Sequence, residues 1–282
     1  MITRQPTDGP LLVVEGIDGS GKSTILKACK DWATERGLKI FDVVEFSERE
    51  HRLPDLKDIG DAQALMAAEP CFCWTGDAIR QEIIARHEDR ECVTCNAKRA
   101  TLETATPQTL HDTRCALHDI RYTGLETAEA FALDRLVLFR RVIIPFLQNR
   151  PDRIVFKDRG VGSSLAYQPL QDATLTTARL LELSGNAQST AFAPTLLVLV
   201  RTEAAAAMAR LEGRTDKQDN VIFEERGFQE RLAIRFLSDG VLGPFRQAGT
   251  DIVELDGNLP MDAMAAAAQT MLSQKLADFA KL

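Results

Sequence analysis

The chain has 282 residues with 45% hydrophobic and 27% charged side chains, a composition that excludes disordered, collagenous and low-complexity proteins. Its 34 Lys and Arg against 41 Asp and Glu give a net charge of −7, so we expect no broad cationic surface for nucleic acids or membranes. No segment approaches the roughly 20 apolar residues of a membrane span, and the first apolar run is too short for a signal peptide. We therefore predict a cytoplasmic protein whose six cysteines are mostly thiols.

The first predicted element is a strand that begins at Leu11, because the run Leu-Leu-Val-Val is apolar and β-branched. It leads into a glycine-rich segment that starts at Gly16. An apolar periodicity typical of a helix then continues from about Lys22 to Arg36. The sequence thus predicts a strand, a loop and a helix in succession.

Further apolar runs predict four more strands suited to burial on both faces of a sheet. These strands cover Lys39 to Phe46, Arg153 to Lys157, Thr195 to Val200 and Asp251 to Leu255. The intervals hold helical patterns at Thr127 to Gln148, Thr174 to Leu183, Ala204 to Leu211, Phe228 to Leu237 and Met261 to Lys281. Strands alternating with helices predict a three-layer α/β fold around a parallel sheet of five strands.

One polar stretch departs from this alternation and predicts an inserted module. Residues 87–123 show no sustained period of either kind and contain Cys and His at short spacings. We therefore expect the main domain to comprise residues 1–86 and 124–282, with residues 87–123 as an insertion.

The glycine-rich segment contains a complete phosphate-binding motif. Residues 16–23 read Gly-Ile-Asp-Gly-Ser-Gly-Lys-Ser and satisfy G-x-x-x-x-G-K-[ST] between a predicted strand and a predicted helix. Glycines allow backbone N–H groups to surround phosphates, and the helix N-terminus adds its dipole. In this motif Lys22 reaches the β and γ phosphates and Ser23 places a hydroxyl on Mg²⁺.

Four segments in the same order resemble the thymidylate kinase family of P-loop nucleoside monophosphate kinases. They are the loop at residues 15–24, Phe46-Ser-Glu-Arg49, Phe131-Ala-Leu-Asp-Arg135, and the run from Asp158-Arg159 through Ser164 to Tyr167-Gln168. The resemblance implies the P-loop nucleoside monophosphate kinase fold and the ATP-dependent phosphorylation of a deoxynucleoside monophosphate, with dTMP as the first expectation. It also implies a homodimer.

The resemblance implies a role for each matching residue on the donor side. ATP and Mg²⁺ would be bound by Gly16, Asp18, Gly19, Ser20, Gly21, Lys22, Ser23, Thr24 and Asp158. Asp158 would hold Mg²⁺ through water. A lid over about residues 210–226 would add the cations Arg210 and Arg214 to the catalytic residues Lys22 and Arg159.

The acceptor site implied by the resemblance consists of Asp18, Arg49, Phe131, Arg135, Arg159, Ser164, Tyr167 and Gln168. Phe131 would stack on the base while Arg135, on the same helical face, would hydrogen-bond its edge. Arg49 and Arg159 would clamp the acceptor phosphate.

Other acceptor residues would meet the sugar and the base. Asp18 would accept from the sugar 3′-hydroxyl, Ser164 would meet the base, and Tyr167 would crowd the 2′ side.

Two departures from the family pattern leave the acceptor open. Gly160 replaces an aromatic residue, and Ser47 replaces a proline. A kinase for another or modified pyrimidine deoxynucleotide is therefore an alternative. A nucleotide-binding scaffold that recruits a partner through the insertion is a second one.

The insertion itself predicts a structural Zn²⁺ site. Cys92 and Cys95 form one short-spaced pair, and Cys115 with His118 forms a second pair that 19 intervening residues separate from the first. Two such pairs suit a tetrahedral zinc site, whose metal–ligand bonds can replace an apolar core. His111 is an alternative fourth ligand, and Cys71 or Cys73 could also take part.

Overall fold

A computed structural model describes residues 1–85, 122–213, 226–277 and 279, and these build a sheet of six strands, each parallel to its neighbours. The strands are β1 (Leu11–Glu15), β2 (Ile40–Asp42), β3 (Ala64–Ala68), β4 (Ile154–Asp158), β5 (Leu196–Arg201) and β6 (Asp251–Asp256). Their spatial order is β2-β3-β4-β1-β5-β6. The carboxyl ends of β1, β3 and β4 therefore meet at one edge, where open α/β sheets bind ligands.

Helices cover both faces of this sheet. They are α1 (Lys22–Glu35), α2 (Val43–Glu50), α3 (Leu56–Ile59), α4 (Thr75–Ala78), α5 (Gly124–Leu138), α6 (Ile144–Leu147), α7 (Val161–Gln171), α8 (Thr177–Glu182), α9 (Ser184–Ala191), α10 (Ala204–Glu212), α11 (Arg226–Phe236), α12 (Asp239–Gln247) and α13 (Met261–Lys275). Short π-helical segments follow α4 at Ile79–Ile83 and α5 at Phe139–Ile143.

Alternate residues of the central strands divide the core into two clusters, as the period of two in a strand requires. In β1, Leu11 and Val13 face the cluster packed by α5, α7 and α12. Leu12 and Val14 face the other cluster, which α1 and α13 cover. We call these two sides of the sheet the α5 face and the α1 face.

The prediction of five strands was wrong, because β3 was missed and lies inside the sheet between β2 and β4. Three of its five residues are alanines. Alanine has low β propensity, so burial rather than propensity places this segment in the sheet.

The strand predicted over Lys39 to Phe46 ends early, at Asp42. The Asp42 side chain accepts hydrogen bonds from the backbone N–H groups of Val44 and Glu45 and thereby caps α2. The helix predicted from Thr127 instead begins at Gly124, because Thr123 and Glu126 form a capping box.

Several predictions fall outside the described residues. They concern the zinc ligands Cys92, Cys95, Cys115 and His118, the alternative ligand His111, the cation Arg214 and most of the predicted lid. Among the helices that the structure does describe, none combines the length and apolar composition needed to cross a membrane.

Candidate functional site

The loop between β1 and α1 has the backbone conformation that its glycines permit. Gly16, Gly19 and Gly21 have φ angles of 150°, 72° and 100°, in the region that disfavours residues with a Cβ. A Cβ at Gly19 would collide with the carbonyl oxygen of Ala207, and one at Gly21 with the side chain of Met264. The conformation therefore favours glycine at both positions, and packing against the backbone adds a second requirement at Gly19.

The Lys22 side chain folds back across this loop. Its Nζ donates to the carbonyl oxygens of Ile17 at 2.7 Å and Gly16 at 3.1 Å. Burial lowers the pKa of the Lys22 ammonium to about 8, and the nearby charge of Arg159 acts in the same direction. The loop thus holds an ammonium group that water solvates poorly, and such a group is suited to binding an anionic ligand.

Oxygen atoms suited to a hard cation lie beside Lys22. Ser23 is exposed at the first turn of α1, and Asp158 ends β4, the strand next to β1. Asp158 Oδ1 is buried and has no hydrogen-bond partner among the described residues. A buried carboxylate oxygen without a donor fits a Mg²⁺ ion or its bound water, so the donor set agrees with the cation implied by the motif.

Arg159 connects β4 to the loop. Its guanidinium forms an ion pair with Asp18 and donates to the Tyr167 hydroxyl at 3.3 Å, while that hydroxyl donates to Asp18 Oδ2 at 2.8 Å. Arg159 also donates to Ser163 Oγ at 3.3 Å. Asp18, Arg159 and Tyr167 therefore form one hydrogen-bonded cluster.

The charges of this cluster determine its protonation. Burial alone would raise the pKa of Asp18, but Arg159 and Lys22 lower it below its ordinary value. Burial raises the pKa of the Tyr167 phenol well above its usual range. The expected state is a carboxylate, a guanidinium and a neutral phenol.

Arg210, in the last turn of α10, lies over the same loop. Its Nη1 approaches the carbonyl oxygens of Gly19 at 3.4 Å and Ser20 at 3.5 Å, and its Nη2 approaches that of Leu259 at 3.4 Å. The structure thus brings Lys22, Arg159 and Arg210 to one loop.

A pocket of about 230 Å³ opens beside the loop, between the carboxyl end of β5 and α11. Its lining includes Gly16, Ile17, Leu199, Phe236 and Asn258. It is a largely apolar space next to the phosphate-binding motif.

Arg135 lies in a buried polar cluster next to the turn at Gly160. Its guanidinium hydrogen-bonds Glu69 at 2.9 Å, Asn186, the Gly160 carbonyl at 3.1 Å and Ser164 Oγ at 3.1 Å. All of these partners are protein groups. A role in contacting a base would require Arg135 to exchange some of them.

The other predicted acceptor residues lie on α5 and α7. Phe131 is half-buried, whereas Ser164, Tyr167 and Gln168 are buried. The amide oxygen of Gln168 is buried and has no hydrogen-bond partner among the described residues, so it can accept from a ligand.

Arg49 is not brought to the loop by its described contacts. Its side chain is 68% exposed, pairs with Glu50 and lies against the ring of Phe46 at the end of α2. The preceding strand, β2, is at the edge of the sheet, three positions from β1.

Gly160 packs against the interior. A Cβ at this position would lie 3.3 Å from both Lys157 Nζ and Val13 Cγ1. Its lack of a side chain accommodates these buried neighbours.

Cys71 and Cys73 are buried free thiols. Burial raises the pKa of Cys71, and it raises that of Cys73 to about 11, so both favour the neutral thiol. Within the part of the chain that the structure describes, no three His, Cys, Asp or Glu residues come together as a metal-binding group.

Sequence reasoning missed four polar residues at this edge of the sheet. They are Glu15, Glu69, Lys157 and Asn186, all 4% exposed or less. Lys157 carried a detectable signal, because a charged residue within a predicted buried strand needs a partner, whereas the strand that precedes Glu69 was not predicted. Asn186 carried none.

Neither protein-family models nor curated proteins give a match to this chain.

Proposed function

We propose that this chain is a nucleoside monophosphate kinase that transfers the γ-phosphoryl group of Mg·ATP to a deoxynucleoside monophosphate, with dTMP as the first candidate acceptor. The observation that carries the proposal is the convergence of Lys22, Asp158 and Arg159 around a loop with the phosphate-binding motif. The motif resemblance to thymidylate kinases supplies the acceptor class.

The donor phosphates fit the cations of the loop. On binding, Lys22 would exchange its bonds to the carbonyls of Gly16 and Ile17 for bonds to phosphate oxygens. Arg210 is already within 3.5 Å of two loop carbonyls and would add a second cation. Catalysis of phosphoryl transfer depends mainly on such alignment and charge stabilisation.

Ser23 and Asp158 would hold the Mg²⁺ ion that accompanies ATP. When bound, this ion neutralises charge on the phosphates and polarises them toward attack. The buried Asp158 Oδ1 is the described group that best fits this role.

Arg159 would orient the acceptor phosphate. Its planar guanidinium can bind a phosphate at two oxygens, and its present partner Asp18 holds it toward the loop. Tyr167 lies against Arg159 and packs on Phe236, and it would restrict the access of water to the acceptor phosphate. In this proposal Arg159 would help to align an attacking phosphate oxygen with the donor.

A second candidate function is a kinase for a different pyrimidine deoxynucleotide. It is favoured by the contacts of Arg135. The N–H groups that would hydrogen-bond the edge of thymine already donate to Glu69, Asn186 and the Gly160 carbonyl. An acceptor read by the unpartnered Gln168 amide oxygen would present a donor there.

Measuring ADP release with Mg·ATP and a panel of monophosphates tests these proposals. Turnover on dTMP supports the first function, and turnover confined to another base supports the second. Tight nucleotide binding without turnover on any monophosphate would instead indicate a nucleotide-binding scaffold. Asp158→Asn is the matched inactive variant, since it keeps the shape of the side chain and removes its charge.

We also propose that Cys92, Cys95, Cys115 and either His118 or His111 bind one structural Zn²⁺. The burial and raised pKa of Cys71 and Cys73 favour neutral thiols, which leaves the cysteines of the insertion as the better ligands. Elemental analysis of the purified protein should give one zinc per chain, and a chelator should lower its melting temperature. A zinc-free protein that is unaffected by the chelator contradicts this proposal.

The homodimer implied by the family resemblance stays a prediction. Light scattering of the purified protein measures it directly, with a mass of about twice the chain's 31.2 kDa as the expected result.

A further inference from the structure

Three charged side chains are buried together beneath the turn that carries Arg159. Glu69, Arg135 and Lys157 are 4%, 1% and 0% exposed. Glu69 Oε2 lies 2.8 Å from Arg135 Nη2, and Glu69 Oε1 lies 2.6 Å from Lys157 Nζ. One carboxylate therefore compensates two cations, which leaves a surplus of one positive charge among the three.

Both cations also donate to the backbone of this turn. Lys157 Nζ donates to the Arg159 carbonyl at 2.6 Å, and Arg135 Nη2 donates to the Gly160 carbonyl at 3.1 Å. The two carbonyls belong to consecutive residues. The cluster thus holds the peptide groups on both sides of the Gly160 Cα.

The turn needs such support because of its conformation. Arg159 has a φ of 60°, in the left-handed region that residues with a Cβ seldom adopt. Its own N–H donates to the Val14 carbonyl at 2.9 Å, which fixes the start of the turn on β1. Strained conformations of this kind persist only when surrounding contacts determine them.

The conformation decides where the Arg159 side chain points. In the left-handed conformation the guanidinium reaches back to Asp18 in the phosphate loop. A different conformation at Arg159 would redirect its side chain away from the loop.

We propose that Glu69 is a positioning residue that fixes Arg159 toward the phosphate loop by holding Lys157 and Arg135 against the Arg159–Gly160 turn. Glu69 reaches this position from the end of β3, and its N–H also bonds the Asp158 carbonyl at 3.0 Å. The expected effect of Glu69 on turnover rests on the proposed kinase function. Its effect on the conformation of Arg159 does not.

Two variants isolate the proposed contact. Lys157→Met removes the donor to the Arg159 carbonyl at similar side-chain length. The double variant Glu69→Gln/Lys157→Met removes one negative and one positive charge, so the net charge buried with Arg135 is unchanged. In Lys157→Met the Glu69 carboxylate keeps Arg135 as its partner, and the double variant replaces the single one if the single variant does not fold.

A matched control is Asp58→Asn, which removes the partly buried ion pair between Asp58 and Arg52 far along the chain from the turn. Unfolding by denaturant identifies which variants are folded. ADP release then gives kcat and KM, and the side-chain ¹⁵N–¹H spectrum of the arginines reports on Arg159, with the signal assigned from Arg159→Lys.

We expect the double variant to move the Arg159 Nε–H signal and to lower kcat by about 10- to 100-fold, because small misplacements of an aligning group have effects of this size. The KM for ATP should change less than threefold, and Asp58→Asn should match wild type in both readouts. A folded variant with wild-type kcat and an unmoved Arg159 signal would overturn the proposal.

The spectrum also separates this inference from the proposed function. If wild-type protein turns over no monophosphate, the kinase proposal fails, while movement of the Arg159 signal in the variants still supports the positioning role. An unmoved signal in folded variants overturns that role whatever the activity.

Discussion

The two faces of the sheet are built from different chemistry. On the α1 face, residues such as Leu12, Trp32 and Phe156 form an apolar cluster. On the α5 face, the apolar cluster continues at the carboxyl edge into buried charged residues, among them Glu69 and Lys157. Adjacent strand residues therefore have opposite surroundings, as Phe156 and Lys157 show.

This difference indicates that the two faces of one sheet contribute differently to stability and to activity. Burial of apolar side chains is non-directional and stabilises the fold. Buried charges are costly unless they are paired, and their paired hydrogen bonds orient the groups that they contact. The α1 face should therefore determine stability, and the edge of the α5 face should determine activity. The following substitutions test that division.

The largest expected effect is on activity, from Lys22→Met. Lys22 begins α1 but directs its ammonium to the loop, so its loss removes a cation from the proposed phosphate site. We expect kcat to fall by about 10³-fold, equivalent to roughly 4 kcal/mol, without a loss of stability. ADP release and denaturant unfolding measure the two quantities.

Lys27→Met is the control for this prediction. Lys27 is on the same helix, 76% exposed and paired only with Asp31 in its described contacts. It should leave turnover unchanged. An equal loss of activity in both variants would count against the assignment of Lys22.

The opposite result is expected for Phe156→Ala on the α1 face. Phe156 is fully buried and packs edge-to-face on Trp32. Its truncation should lower the free energy of unfolding by about 3 kcal/mol, because it leaves a cavity in a packed core. Turnover per folded molecule should be unchanged. A large loss of kcat in the folded variant would break the division between the faces.

A smaller, pH-dependent effect is expected for Asp134→Asn on the α5 face. Burial raises the pKa of Asp134 to about 6, despite the hydrogen bond from the Cys71 N–H at 2.9 Å. A carboxyl with a raised pKa in the folded state favours folding below its unfolded pKa and loses that contribution as the pH rises through 6.

Asp134→Asn should therefore stabilise the protein by about 1 to 2 kcal/mol at pH 7.5, and by less at pH 4.5. The amide oxygen of asparagine can still accept from Cys71. Urea unfolding at the two pH values measures the effect. A gain independent of pH would show that ionisation of Asp134 is not its cause.

The smallest expected effect is a difference in stability between two Cys→Ser variants, one on each face of the sheet. Cys29→Ser places a hydroxyl in the apolar cluster of the α1 face, whereas Cys73→Ser places it beside the Ser47 hydroxyl. The first variant should be less stable than the second by about 1 kcal/mol, because its hydroxyl lacks a partner. Equal melting temperatures of the two variants would argue that the two faces do not differ in how well they accommodate a buried hydroxyl.

The sequence predicted the elements whose patterns are strong and local. β1, the loop and α1 follow from an apolar run, a motif and a helical period, and the structure places them within a residue or two. β4 and β5 were also predicted, from apolar runs that are buried on both faces of the sheet. β6 was predicted as well, but it lies partly exposed at the edge of the sheet, whereas its apolar run predicts burial on both faces.

The failures have physical causes that one sequence does not display. β3 is rich in alanine and is held by its neighbours, so its own pattern is weak. The surroundings of Arg135 depend on Glu69 and Asn186, which are 66 and 51 residues away in sequence. Such long-range pairing is set by the topology of the sheet and has no local periodicity.

The position of β3 also bears on which parts of the chain can change. β2 lies beyond β3, at the outer edge of the sheet, about 14 Å from β1 at the usual strand spacing. Drift at the exposed residues of α2, such as Glu45 and Glu48, should therefore be tolerated, whereas Val43, Phe46 and Ser47 are buried. Glu69, at the end of β3, has no such freedom, because the residues that it pairs with are in the interior of the protein.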